Sequence, residues 1–202
     1  MKAAILWSGG KDSTIALHKA RESGVDVKYA ITAFFGDMTI PPTEEAICEQ
    51  CRLVNLEPII MHCDLITFHV ALSKHLPPDI DALVYGEGQT TNVIIWFREF
   101  CAAHNLTPIL PAFNRSIEQT IMDFFDCGYK AIITRLSSND LHYGGKEFSK
   151  AIYLRNKDPF KNPFGVASGL QTFVVDGPMF SSPLNYVFEN KIGGRVKTTS
   201  ST

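Results

Sequence analysis

The residues best equipped for chemistry lie together near the start of the chain, in the run Ser8, Gly9, Gly10, Lys11, Asp12 and Ser13. Two adjacent glycines let a backbone approach a ligand closely and adopt φ > 0. Lys11 supplies a positive charge, Asp12 a carboxylate able to hold a magnesium ion, and Ser8 and Ser13 hydroxyls able to donate hydrogen bonds. Together they suit a phosphate group. Placing them requires a particular scaffold. Residues 3–7 form a short apolar run that predicts a buried strand, and from Asp12 onward Ile15, Leu17 and Ala20 recur at helical spacing. In a strand–turn–helix the first helical N–H groups lack partners and the helix dipole favours an anion, so the turn can seat phosphate.

The commoner phosphate loop, G-x-x-x-x-G-K-S/T, is absent at this place. A bare pair of glycines would read as an ordinary helix-capping turn. The whole run SGGKDS, directly after a first strand, resembles the PP-loop of the ATP pyrophosphatase superfamily. That resemblance implies that ATP is held by its β and γ phosphates as one unit. The α phosphate is then open to attack, with pyrophosphate leaving and AMP transferred or released.

The rest of the sequence must supply a fold around that loop. At 202 residues, 45% hydrophobic and 20% charged, the chain predicts one soluble domain with a sizeable core and room for a small appendage. Its net charge of −2 gives no general attraction to nucleic acid, which is not an expected partner. No apolar run approaches a membrane span, and the amino terminus enters a strand with no room for a signal peptide. Five scattered cysteines, an odd number, fit a reducing compartment, so cytoplasm is expected.

Strand and helix signals alternate along residues 1–136. Strands are expected at 27–35, 58–61, 82–85, 107–110 and 129–135. Between them lie helices capped by Thr43, following Asp64, spanning 91–104 with apolar surface on more than one side, and starting at a capping box, Ser116 to Gln119. The fold class is therefore α/β: a doubly wound, mostly parallel, Rossmann-like sheet, with the sixth strand taken as a member. Ligands of such sheets sit beyond the carboxyl ends of the strands, here Ser8, the region 34–36, Gly86 and the residues after Arg135. Residues 137–193 change character and read as a small segment forming the acceptor site, with strands at 172–175 and 186–188. The polar end, 194–202, reads as a flexible tail.

Three stretches together, SGGKDS, YKAIITRLSSNDL at 129–141 and NPFGVASGLQTFVVDGPMF at 162–180, resemble the diphthine–ammonia ligase branch of the PP-loop superfamily. The resemblance runs over nearly the whole chain. It implies an adenine nucleotide alpha-hydrolase-like fold and an enzyme that activates a carboxylate as its acyl adenylate and transfers it to ammonia. The family's late pattern is G-E-x-G-E-F/Y-x-T-F. Gly165, Thr172 and Phe173 keep it, Gln171 sits at its variable place, and Val166 and Gly169 replace its two glutamates. A pocket stripped of carboxylates is a poor host for the quaternary ammonium of diphthine unless aromatics substitute. Residues 40–43, Ile-Pro-Pro-Thr, also depart from the methionine-histidine-glycine segment usual in bacterial relatives.

The reading that follows is an ATP- and Mg2+-dependent, AMP-forming amidoligase with an altered acceptor pocket. Ser8, Gly9, Gly10, Lys11, Asp12, Ser13 and Gly86 would bind nucleotide, with Asp12 on the metal. Lys11, Asp12 and Arg135 would serve the reaction, Arg135 by stabilising charge on the α phosphate; a rim salt bridge is the rival role for Arg135. Gly165, Gln171 and Thr172 would shape the pocket of a small-molecule or protein-side-chain carboxylate, and a homodimer stays open. Two rivals remain: an ATP-binding module without ligase activity, and a tRNA-modifying PP-loop enzyme. The second is favoured only by Cys48 and Cys51, a C-x-x-C more simply read as ordinary helix cysteines. Glu87 and His142 fall in loops at the ligand edge, where a surface role is at least as good a reading.

Overall fold

The computed structural model describes residues 1–35, 42–86, 90–135, 143–155, 170–189 and 195–199. Its first part repeats one unit. β1 (Lys2–Leu6) leads to α1 (Lys11–Glu22), β2 (Asp26–Phe35) to α2 (Glu44–Leu53), β3 (Glu57–Cys63) to α3 (Phe68–His75), and β4 (Ala82–Val84) to α4 (Thr91–Ala103) and β5 (Thr107–Ile109). The five strands form a parallel sheet in the order β3-β2-β1-β4-β5. Alternation along β1 shows why the sheet is covered on both sides. Ala3, Ile5 and Trp7 pack with Leu17, Ala20, Ile47 and Cys51 of α1 and α2, whereas Ala4 and Leu6 pack with Leu72, Phe97 and Cys101 of α3 and α4.

The strand order reverses between β1 and β4. β2 and β3 extend the sheet one way from β1, and β4 and β5 extend it the other way. At such a switch point the loops leaving the two central strands diverge and open a crevice at their carboxyl ends. The run from Ser8 to Ser13 follows β1 directly at this place.

Three expectations are corrected. First, the sixth strand, β6 (Lys130–Arg135), does not join the parallel sheet; it follows α5 (Ile117–Asp126) and pairs antiparallel with β7 (Gln171–Asp176), beyond α6 (Lys150–Arg155). The physical reason lies at β5. Thr107 N and Ile109 O bond towards β4, which leaves Pro108 facing outward without an N–H for a further neighbour. β6 and β7 instead pack with Ile15, Ile121, Phe124 and Phe148 in a separate cluster against α1 and α5. Second, α4 buries one stripe, through Ile94, Phe97, Phe100 and Cys101, while Ile95 stays 49% exposed. Third, residues 195–198, expected within a flexible tail, form β9 (Arg195–Thr198) paired with β8 (Tyr186–Glu189). Val196 is buried there and its carbonyl accepts from Thr43 N at 3.0 Å, which ties β9 to the start of α2.

Among the described residues no helix is long and apolar enough to cross a membrane.

Candidate functional site

The loop after β1 is shaped by a left-handed residue. Gly9 has φ +72°, and a Cβ there would lie 2.6 Å from Gln50 Oε1 and 2.7 Å from the Phe173 ring, so both conformation and space demand glycine. Gly10 is the N-cap of α1 in extended conformation and offers no side chain to the helix. The first turn is finished by other groups. Ser8 Oγ accepts from Gly10 N at 3.3 Å and lies 3.2 Å from Ser13 Oγ. Ser13 and Thr14 hydroxyls both donate to Gly10 O, at 3.1 and 2.9 Å. Lys11 N donates to Thr172 Oγ1 at 3.1 Å, across 161 positions of sequence.

The charges of the loop are paired with each other. Lys11 Nζ lies 2.7 Å from Asp12 Oδ2, and the two side chains are 10% and 54% exposed. The cation therefore runs along the protein with its stem covered while the carboxylate stands at the surface. A polyphosphate taking Lys11 and a divalent cation taking Asp12 would replace this pair by two others of balanced charge. Gly86, just past β4, touches the same turn: a Cβ there would sit 2.8 Å from Asp12 O. Its glycine thus serves the close approach of the β4 end to α1.

The residues expected in an acceptor pocket divide. Thr172 is not remote from the loop but bonded to it. Gln171 opens β7, half-buried, as the backbone partner of Arg135 at the end of β6. The side chain of Arg135 lies outside the described part of the chain, as do Gly165, Val166, Gly169, Glu87 and His142. Ser8, Gly9, Gly10, Lys11, Asp12, Ser13, Gly86 and Thr172 are brought together.

One residue of this assembly escaped the sequence reading. Gln50, on the covered face of α2, is fully buried. Its amide donates to Gly9 O at 3.0 Å and Val174 O at 2.6 Å and accepts from Trp7 Nε1 at 2.9 Å. Its signal in the sequence is a polar residue on the helical stripe of Ala46, Ile47, Cys51 and Leu53.

Burial disfavours the thiolate at both members of the Cys48–Cys51 pair. Burial pushes the Cys51 thiol up to about 12, and burial with the neighbouring Glu44 and Glu45 raises Cys48. His62 pairs with Glu44 at 3.1 Å instead of joining the cysteines. Among the described residues no group of three or more His, Cys, Asp or Glu is placed to hold a metal. A cleft of about 690 Å³ lies on the outer side of α2, between Glu45, Cys48 and Glu49 and the β8–β9 end at Asn185 and Thr198, away from the phosphate loop.

Fold and loop together define an α/β protein with a glycine turn and helix start at the switch point of a doubly wound sheet. The family model described as the diphthamide synthase N-terminal domain matches residues 1–38, the span of β1, the loop, α1 and β2. A crystal structure described as a predicted subunit of tRNA methyltransferase, from Methanocaldococcus jannaschii, is similar at a TM-score of 0.53. That likeness covers 91% of this chain and 100% of the other at 16% identity, so it speaks to the fold. No curated protein sequence matches. The matched amino-terminal segment and the adenine nucleotide alpha-hydrolase-like fold support the PP-loop superfamily, whose members use ATP.

Proposed function

We propose that the chain is an ATP-dependent, AMP-forming ligase that activates a carboxylate as its acyl adenylate. One observation carries this reading: the amino end of α1 has no side-chain cap of its own, and Lys11, Asp12 and Thr172 gather around it at the β1 edge. The donor set fits magnesium triphosphate. Loop amides and the Lys11 ammonium suit the β and γ phosphates, and the exposed Asp12 carboxylate suits the metal, which would screen the polyphosphate charge.

In the proposed reaction an acceptor carboxylate oxygen attacks the α phosphorus. A new O–P bond forms, the bond to pyrophosphate breaks, and pyrophosphate leaves with the electron pair. Lys11 and the loop amides stabilise the charge arriving on the leaving group, and Arg135 would do so on the α phosphate. Ammonia then attacks the acyl carbon, AMP departs and one proton is released. Val166 and Gly169 in place of the family's glutamates favour a small neutral or anionic carboxylate over diphthine as acceptor.

Incubation with α-labelled ATP and magnesium tests the reading. AMP and pyrophosphate are expected. ADP, or tight binding with no turnover, favours a nucleotide-binding module instead. A tRNA-thiolating role would need Cys48 or Cys51 as thiolates, a form that burial disfavours at both. RNA as a partner, suggested by the Cys48–Cys51 pair and by the description of the Methanocaldococcus protein, would require binding that falls steeply with salt.

A further inference from the structure

We propose that Gln50 is the positioning residue of the phosphate loop, fixing its left-handed turn to β7. This rests on the loop being the nucleotide seat. Gly9 O receives two donors from outside the loop and α1, Val174 N at 2.9 Å and Gln50 Nε2 at 3.0 Å. The same Nε2 donates to Val174 O at 2.6 Å, so one NH2 group joins the loop to the strand that also supplies Thr172. The amide cannot turn round. Trp7 Nε1, an obligate donor, points at Gln50 Oε1 at 2.9 Å and assigns oxygen to that side and nitrogen to the loop.

The geometry joins three parts of sequence far apart: the end of β1, the middle of α2 and β7. Lengthening or loosening this bridge would let Gly9 leave φ +72°, and the Gly10 and Lys11 amides would lose the orientation that a phosphate needs. A Cβ at Gly9 would run into Gln50 Oε1, so glycine and glutamine occupy complementary space. Among the described residues, the hydrogen bond of Gln50 to the phosphate seat is to the Gly9 carbonyl. It therefore acts through the loop and is not a catalytic residue.

Amide hydrogen exchange of the full chain, without nucleotide, tests the idea directly. Gln50→Met keeps the length of the side chain and removes both donors. It should speed exchange at Gly9 to Ser13 by at least about 10-fold, the scale of one lost buried hydrogen bond. Leu72→Ala, in the core layer on the opposite face of the sheet, is the control of comparable stability loss and should leave those amides as they are. Trp7→Phe, which keeps a ring and removes only the orienting donor, should act in the same direction by a smaller factor; it covers the case in which Gln50→Met does not fold. ATP affinity should fall with loop protection in the Gln50 and Trp7 variants and hold in the control. Equal loop exchange in Trp7→Phe, Gln50→Met and the control overturns the proposal. A wild-type chain that binds no ATP, yet loosens its loop in Gln50→Met, would overturn the nucleotide reading and leave the positioning role standing.

Discussion

At its amino end α5 carries Ser116, whose hydroxyl accepts from Gln119 N at 3.1 Å while Gln119 Oε1 accepts from Ser116 N at 2.8 Å. α1 carries Gly10 at the same position, with no side chain to offer. The contrast extends to α2, where Thr43 accepts from Ala46 N at 3.3 Å. α5 and α2 finish their first turns with groups from their own neighbourhood, whereas the N-cap threonines of α3 and α4, like Gly10, make no side-chain cap bond. α1 instead borrows Thr172 from a strand 161 positions away and leaves a lysine and a carboxylate beside the turn. A helix start finished by borrowed groups at the switch point of a parallel sheet is where an anion can replace those contacts. On the proposed reading the borrowed Thr172 and the Lys11–Asp12 pair, rather than the missing cap, distinguish a binding terminus from a structural one.

That contrast can be broken most severely at the charges. Lys11→Ala and Asp12→Ala should each reduce AMP formation from α-labelled ATP by at least about 100-fold, the scale of one lost charge-stabilising group. Their thermal midpoints should stay close to wild type, because the pair sits at the surface on its Asp12 side. Retained turnover in both would remove their assigned roles. Gly9→Ala comes next. It meets both the left-handed φ and the contacts with Gln50 and Phe173, so a loss of about 3 kcal/mol in denaturant unfolding is expected.

Smaller effects sharpen the comparison. Thr172→Val leaves Lys11 N without its partner and should cost about 1 kcal/mol in the free protein, with the loss reduced at saturating ATP as phosphate takes over that N–H. Ser116→Ala should cost about 1 kcal/mol as well, but equally with and without ATP. A Ser116 variant whose loss was rescued by nucleotide would erase the distinction between the two helix starts. The thiols give the gentlest test. Cys51 ionises near 12 in the fold and near 9 in a free thiol, so the unfolded chain gains charge first as pH rises. Its contribution to stability is complete below about pH 9 and is lost between there and about 12, and native Cys51 should resist alkylation at pH 8.

The parts of the fold that a contiguous stretch dictates were legible from the residues alone. β1, the glycine turn and α1 announce themselves through an apolar run, two glycines and a helical repeat within residues 2–22. The Thr43 cap and the Ser116 box are equally local. Distant pairing was not legible. β6 is apolar enough for a core strand, and only the outward-facing Pro108 of β5 explains why the parallel sheet stops before it. β9 offers a single buried apolar residue, Val196, whose partner Thr43 lies at the other end of the sequence. The same reason hid the contact of Thr172 with the loop. Its pattern marks it for an acceptor pocket, and in the fold its hydroxyl accepts from Lys11 N. Gln50 carried a faint sign, a polar side chain on a buried stripe, that gains meaning only when Gly9, Trp7 and Val174 surround it.

The central claim concerns where a triphosphate comes to rest. A crystal structure with a non-hydrolysable ATP analogue and magnesium measures this directly. The expected result has the β and γ phosphates on the amides of Gly9, Gly10 and Lys11, with the Lys11–Asp12 pair parted and the α phosphorus open toward Thr172 and Gln171. Terminal phosphates bound anywhere else, with Lys11 still on Asp12, would contradict it.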